Sequence, residues 1–312
     1  MNIYEQALSN RRATWVISSV FVGLFLFIGF GFDYMYGAGF SVPVFTIAAL
    51  FLGIVSAYSS YEYGDRFILS STHAQPLDLD DPAQKQWQNV VEEMSIAAGI
   101  PLPRIFIIED QDPNAFATGK DPQHSSLVVT KGLLQSLDRD ELQAVAAHEM
   151  SHIRNFDIRV MLMLSVLVGA MALISDWARR GIFRGSRRSG SRRQGQGNAA
   201  LLLLVVWLVT IILAPLLSQL LAMCVSRKRE YLADASGAEL TRHPLALARA
   251  LEKIDSRSEP TRSINQGTAH LCIADPKGRS LSAKQGWVAD LLATHPPINR
   301  RIEALKQMAY VA

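Results

Sequence analysis

Charge and cysteine are both scarce in this chain. Its 312 residues include only two cysteines, Cys224 and Cys272. Two thiols so far apart make neither a disulfide framework nor a cysteine-rich zinc site, and they suit soluble parts kept in a reducing compartment. Only 19% of the residues are charged, against 49% hydrophobic. The net charge is a modest +3, and the arginines gather beside apolar stretches, where a topological role is the simpler reading. No nucleic-acid partner is expected, and no internal repeat is visible.

From four long runs charge is missing altogether. They are Ala13–Phe32, Val42–Tyr58, Val160–Ile174 and Ala199–Val225, the third reaching Ile158–Ala178 if Arg159 and Asp176 sit at its ends. A helix crosses a bilayer with about 20 mostly apolar residues. The alternative is a set of buried core helices, but a core helix rarely lacks charge over such a span. Arg11 and Arg12 precede the first run, as they would in a cleaved signal peptide. That run is too long and aromatic for one, no small-x-small site follows, and a second apolar run comes after a short loop. A retained anchor is expected.

The chain therefore divides into a hairpin (1–59), a soluble stretch (60–157), a second hairpin (158–225) and a second soluble stretch (226–312). The segment Arg179–Asn198 is rich in Arg, Gly, Ser and Gln, cannot build a core, and is expected to be a disordered loop. The fold class is α+β: a multi-pass helical membrane protein with four membrane segments, whose mainly helical soluble domain carries a small sheet. Asp81–Gly99 has apolar residues at helical spacing; Arg104–Ile108 and Ser126–Thr130 read as strands. Asp138, with Glu141 three residues on, reads as a capping box opening a helix. A further helix is expected from the fourth run through Arg227–Leu240, kinked at Pro215.

On the capped helix lies His148-Glu149-Met150-Ser151-His152, the pattern HExxH. Residues i and i+4 share a helical face, so both imidazoles can reach one zinc ion. Glu149 points off that line, placed to take the proton of a water activated by the metal. Chance occurrence and a surface helix with solvated histidines are the bland alternatives; the apolar neighbours Leu142, Val145 and Ala146 speak for a buried helix.

A catalytic zinc takes three protein ligands, and Glu230 is the candidate for the third. A lone Glu after a basic run is ordinarily a surface charge. Two features weigh against that here. Asp234 lies four residues on, on the same helical face, able to accept a hydrogen bond from a ligand histidine and fix its tautomer. His152 also lies just before the third apolar run and Glu230 just after the fourth, so two crossings return the chain to one side.

HExxH followed by ExxxD, interrupted by one transmembrane hairpin and preceded by another, resembles the HtpX-type membrane metalloproteases, relatives of the CAAX prenyl protease. Also similar are Ile3-Tyr4-Glu5-Gln6, Asn114-Ala115-Phe116-Ala117-Thr118-Gly119, Arg154-Asn155-Phe156-Asp157, and Thr294-His295-Pro296-Pro297 with Arg301. The resemblance covers most of the chain. It implies Zn2+ on His148, His152 and Glu230, with Glu149 as general base. It implies ATP-independent cleavage of misfolded membrane proteins in a bacterial plasma membrane, the active site facing the cytosol. It makes Asn114, Ala115, Phe116 and Ala117 part of an edge strand that binds substrate backbone by strand addition; read from the residues alone, an ordinary turn is equally open.

The resemblance also puts His295 and Arg301 at the oxyanion. Their bland reading is a loop with Pro297 at an early helical position and Arg301 as a solvated helix residue. Arg11 and Arg12 against an Asp33–Ser41 loop without Lys or Arg put the soluble parts inside. The seven arginines of Arg179–Asn198 pull the other way, and the second hairpin is equally open to entering the membrane without crossing it. Two other functions compete: a non-catalytic metal-binding membrane protein, disfavoured by apolar runs almost free of ionisable residues, and a processing protease for lipidated peptides.

Overall fold

The computed structural model describes residues 3–36, 42–165, 205, 209, 227–256, 271–274 and 296–311. The disordered-loop expectation for Arg179–Asn198, the kink at Pro215, His295, nearly all of the fourth apolar run and most of the third lie outside the described residues.

Two long helices open the chain, α1 (Ile3–Tyr36) and α2 (Val44–Ser71), and they pack against each other. Asp33 on α1 ties the pair by accepting hydrogen bonds from the Phe45 and Thr46 backbone amides and the Thr46 hydroxyl. Large apolar side chains point outward from both helices, among them Trp15, Phe30, Phe51 and Ile54. Among the described residues one helix, α2, is long and apolar enough to cross a membrane by length and composition; the apolar stretch of α1, Arg12–Phe27, is shorter. The first soluble stretch was expected from residue 60, but α2 runs on to Ser71. No proline or helix-ending glycine stops it there, and its last turns are held by burial: Ile68 and Leu69 pack with Ile108, Phe116 and Val128 of the sheet.

Four strands form a mixed sheet: β1 (Gln75–Pro76), β2 (Arg104–Ile108), β3 (Ala115–Gly119) and β4 (Ser125–Thr130), in the order β1-β2-β4-β3. β2 runs parallel to β4, while β1 and β3 are antiparallel to their neighbours, with Ala115 opposite Val129 and Gly119 opposite Ser125. β3 is thus an outermost strand. Helix α3 (Pro82–Ala98) begins where the Asp81 side chain accepts from Ala83 and Gln84 N–H groups, and ends at Gly99, whose φ of 67° favours glycine. A short α4 (Lys131–Ser136) follows β4.

Helix α5 (Arg139–Arg154) carries the HExxH residues and starts with the expected capping box: Asp138 accepts from Glu141 N–H, and Glu141 accepts from Asp138 N–H. Trp87, Val90, Val91 and Met94 of α3 share a core with Val145, Met150 and Ile153 of α5. Three more helices follow among the described residues: α6 (Arg227–Thr241), α7 (Pro244–Ser256) and α8 (Ile298–Val311). α6 and α7 pack on α5, and α8 on α7 and α6. α5 is therefore enclosed by α3, α6, α7 and β3. That enclosure is why its polar residues end up in a dry interior.

Candidate metal centre

His148, Glu149 and His152 are all buried on α5, as is Glu230 in the first turn of α6. Both imidazoles offer Nε2 toward the Glu230 carboxylate: His148 Nε2 lies 3.9 Å from Oε2 and His152 Nε2 lies 3.7 Å from Oε1. One ligand atom from each of the three residues falls within 4.8 Å of the other two. A tetrahedral ion with bonds of about 2.0–2.1 Å holds its ligands roughly 3.4 Å apart, so small side-chain adjustments close the set. Glu149 supplies a second sign of fit. Its Oε1 is buried and has no hydrogen-bond partner among the described residues, a costly state for a carboxylate unless a water or cation completes it.

The other ring nitrogens face carboxylates. His152 Nδ1 lies 3.0 Å from Asp157 Oδ2. His148 Nδ1 lies 3.0 Å from Asp234 Oδ1, although its N–H does not point straight at that oxygen. A carboxylate on Nδ1 keeps the proton there and leaves Nε2 with its lone pair toward a metal. Asp234 stands one helical turn beyond Glu230, beside His148 Nδ1. Asp157 was missed as a site residue. It follows His152 by five residues, which is no helical-face spacing; Phe156, with φ of 60°, turns the chain back to bring it there. The run Arg154–Asp157 was visible in the sequence as a pattern, but carried no sign of that turn.

Arg301, on α8, reaches the same spot and is buried, so the solvated-residue reading does not hold. Its Nε and Nη2 donate to the two oxygens of Asp234 at 2.8 and 2.7 Å, and its Nη1 lies 3.2 Å from Glu230 Oε2. Nη1 also donates to the carbonyl of Ile273 at 2.9 Å. Such a planar fork between two carboxylates is a task for arginine rather than lysine.

The electrostatics follow from burial and these partners. Burial raises the Glu149 carboxyl above its ordinary range, against the pull of both histidines. Burial also works against a charged His152, but Asp157, Glu230 and Glu149 outweigh it and lift the imidazole to about 9. For Asp234 burial is outweighed by Arg301, first through charge and then through the hydrogen bonds, and the carboxyl is held below its usual range. Arg301, likewise penalised by burial, is kept charged by Asp234 and Glu230.

Asn114, Ala115, Phe116 and Ala117 are buried at the start of β3. Asn114 belongs to the pairing with β4, its carbonyl accepting from Thr130 N–H. The carbonyl of Ala115 faces the outer edge. That edge is not bare: Ile273 N–H donates to Ala115 at 2.9 Å, and the Asn114 amide donates to the Ala274 carbonyl at 3.1 Å. The segment 271–274 thus lies beside β3, and Ile273 bridges it to Arg301.

A helix-borne HExxH whose two imidazoles converge with a glutamate from a second helix, beside the edge of a small sheet, defines a metallopeptidase. The chain belongs to peptidase family M48, whose model matches residues 82–309. It is 41% identical to a protease HtpX homolog of Thermoanaerobacter pseudethanolicus, covering 98% of each chain. It is 37% identical to one of Streptococcus gordonii, covering 98% of this chain and all of the relative. For one of Dictyoglomus turgidum the identity is 40%, covering 98% and 94%.

Proposed function

We propose that the chain is a membrane-embedded zinc endopeptidase hydrolysing peptide bonds of misfolded or damaged membrane proteins. The observation that carries it is the paired orientation of His148 and His152: each Nε2 faces Glu230, and each Nδ1 faces a carboxylate. Imidazole and carboxylate ligands with such partners suit zinc. Held by His148, His152 and Glu230, zinc supplies a Lewis acid that activates water and polarises a peptide carbonyl.

The chain's own residues do the rest. Glu149 takes the proton of the attacking water and passes it to the leaving amine; burial raises its proton affinity, which favours holding that proton between the two steps. Asp234 and Asp157 hold the imidazoles in one tautomer. Arg301 and His295 stabilise the negative charge that grows on the carbonyl oxygen; in support, Arg301 already donates to one backbone carbonyl, that of Ile273. Substrate backbone adds at the edge formed by Asn114, Ala115, Phe116 and Ala117, taking the place of segment 271–274, whose Ile273 N–H donates to the Ala115 carbonyl.

By the same reading, hairpins 1–59 and 158–225 anchor the soluble parts 60–157 and 226–312 in a bacterial inner membrane, the site facing the cytosol. The outward apolar side chains of α1 and α2 support contact with a lipid bilayer. The test is purification in detergent, metal analysis, and cleavage of an unfolded membrane protein with and without chelator. Zinc bound one per chain and chelator-sensitive cleavage are expected. Retained zinc with no cleavage would make this a non-catalytic metal-binding protein. Preference for prenylated peptides would make it a dedicated processing protease.

A further inference from the structure

The first helix is mostly apolar and outward-facing, yet Asn10 on it is only 1% exposed. Its amide makes two hydrogen bonds, both to the turn that follows the HExxH helix: 2.6 Å to Asp157 Oδ1 and 2.9 Å to the Asn155 carbonyl. The other oxygen of Asp157 is the one facing His152 Nδ1. A continuous chain of contacts therefore runs from α1 through Asp157 to a metal ligand.

We propose that Asn10 is a positioning residue of the metal centre, so that the N-terminal helix sets metal affinity as well as anchoring the chain. Three observations bear on this. The turn it grips holds Phe156 at φ of 60°, a conformation unfavourable for a non-glycine residue that needs support from outside. Asn10 supplies it on both sides of Phe156. Next, the amide of Asn10 donates to one oxygen of Asp157 while the other faces His152 Nδ1, and Arg229 Nε lies 3.8 Å from the oxygen that Asn10 holds. Loss of the amide removes one of the contacts that aim the carboxylate at Nδ1.

Finally, the seam is continuous. Ile17, Phe21 and Leu24 of α1 pack against Val160, Met163 and Leu164, which follow Asp157. Asn10 is the polar end of an apolar contact that fixes its position. Two buried amide hydrogens meeting two acceptors in one turn is a satisfied arrangement, and burial makes its loss expensive.

The inference rests on the metallopeptidase reading, and the experiment separates the two. Full-length parent, Asn10→Ala, Asp157→Asn and the double variant are purified in detergent and stripped of metal. Zinc affinity is measured by chelator competition, and the cobalt-substituted site is read by visible absorption. Asn10→Ala should weaken zinc roughly ten-fold, within the range seen when a partner of a metal-bound histidine is lost, and should alter the cobalt spectrum.

In the double variant the loss should be close to that of Asp157→Asn alone, because Asn10 acts through Asp157. If Asn10→Ala does not accumulate, Asn10→Leu keeps the approximate shape, removes the donors without adding a charge, and carries the same expectation. Ser60→Ala, a buried polar change on α2, should leave affinity unchanged. Parent-like zinc affinity and cobalt spectrum in Asn10→Ala, or a loss that adds in full to that of Asp157→Asn, would overturn the proposal. Zinc binding by a parent that cleaves nothing would sink the protease reading and leave this one standing.

Discussion

Glu149 stands beside the ligand atoms rather than among them, and its buried Oε1 has no hydrogen-bond donor among the described residues. Glu149→Gln should therefore keep metal and lose turnover by about a hundred-fold or more, the usual worth of a positioned base; metal content and cleavage of an unfolded substrate, measured on one preparation, check this. Arg301 holds two buried carboxylates at once. Arg301→Ala removes the buried guanidinium that Asp234 and Glu230 share, so about 3–5 kcal/mol of stability should go. A melting temperature close to the parent's in metal-free protein would contradict that. Asp234→Asn keeps the shape but weakens the hold on His148, and should cost roughly ten- to a hundred-fold in zinc affinity with little change in melting.

At the scale of elements, the approach of α6 to α5 decides whether Glu230 reaches the histidines. Gly237 makes that approach possible: a Cβ there would lie 3.0 Å from the His148 backbone nitrogen and 3.2 Å from its Cα. Those atoms belong to a helix packed on every side and cannot give way cheaply. Gly237→Ala should separate the helices by a few tenths of an ångström, cost about 1–3 kcal/mol as overpacking does, and weaken metal binding several-fold in chelator competition.

The elements differ in how plainly the sequence announces them. α3 and α5 were legible to within a residue or two because each carries its own end signals, Asp81 and Gly99 for one and the Asp138–Glu141 box for the other. β2 and β4 were legible as short β-branched runs. β3 was not, except by resemblance: Ala-Phe-Ala-Thr-Gly is buried on both faces, so it shows no alternation. His148 and His152 were legible as candidate ligands because i, i+4 spacing is a property of one helix; Glu230, on another helix, was legible only through its spacing to Asp234, the topology and the resemblance. Asn10 and Asp157 were not, because their meeting depends on a left-handed turn and on packing between distant segments. The bridging of Ile273 between β3 and Arg301 was equally invisible.

At the scale of the molecule, the polar centre and the outward apolar helices face different surroundings. A reporter active only outside the cytosol, fused at Gly37, should work, and one fused after Ala312 should not; the reverse pattern would put the centre on the outer side. Detergent-free extraction should leave the chain with the membrane fraction.

The capping box on α5 has a further consequence, best seen mechanically. Glu141 also receives Lys253 Nζ at 2.6 Å from α7, so the near end of the helix is clamped, while Asn10 grips the turn just past its far end. Gly237 sits against its middle as a fulcrum. Eleven residues separate Glu141 from His152, roughly 16 Å of rigid rod. A tilt of about 4° at the clamp would swing the imidazole by roughly 1 Å, an error worth about a hundred-fold in rate. Leverage of this kind gives an exposed lysine on a neighbouring helix a hold on chemistry it never touches.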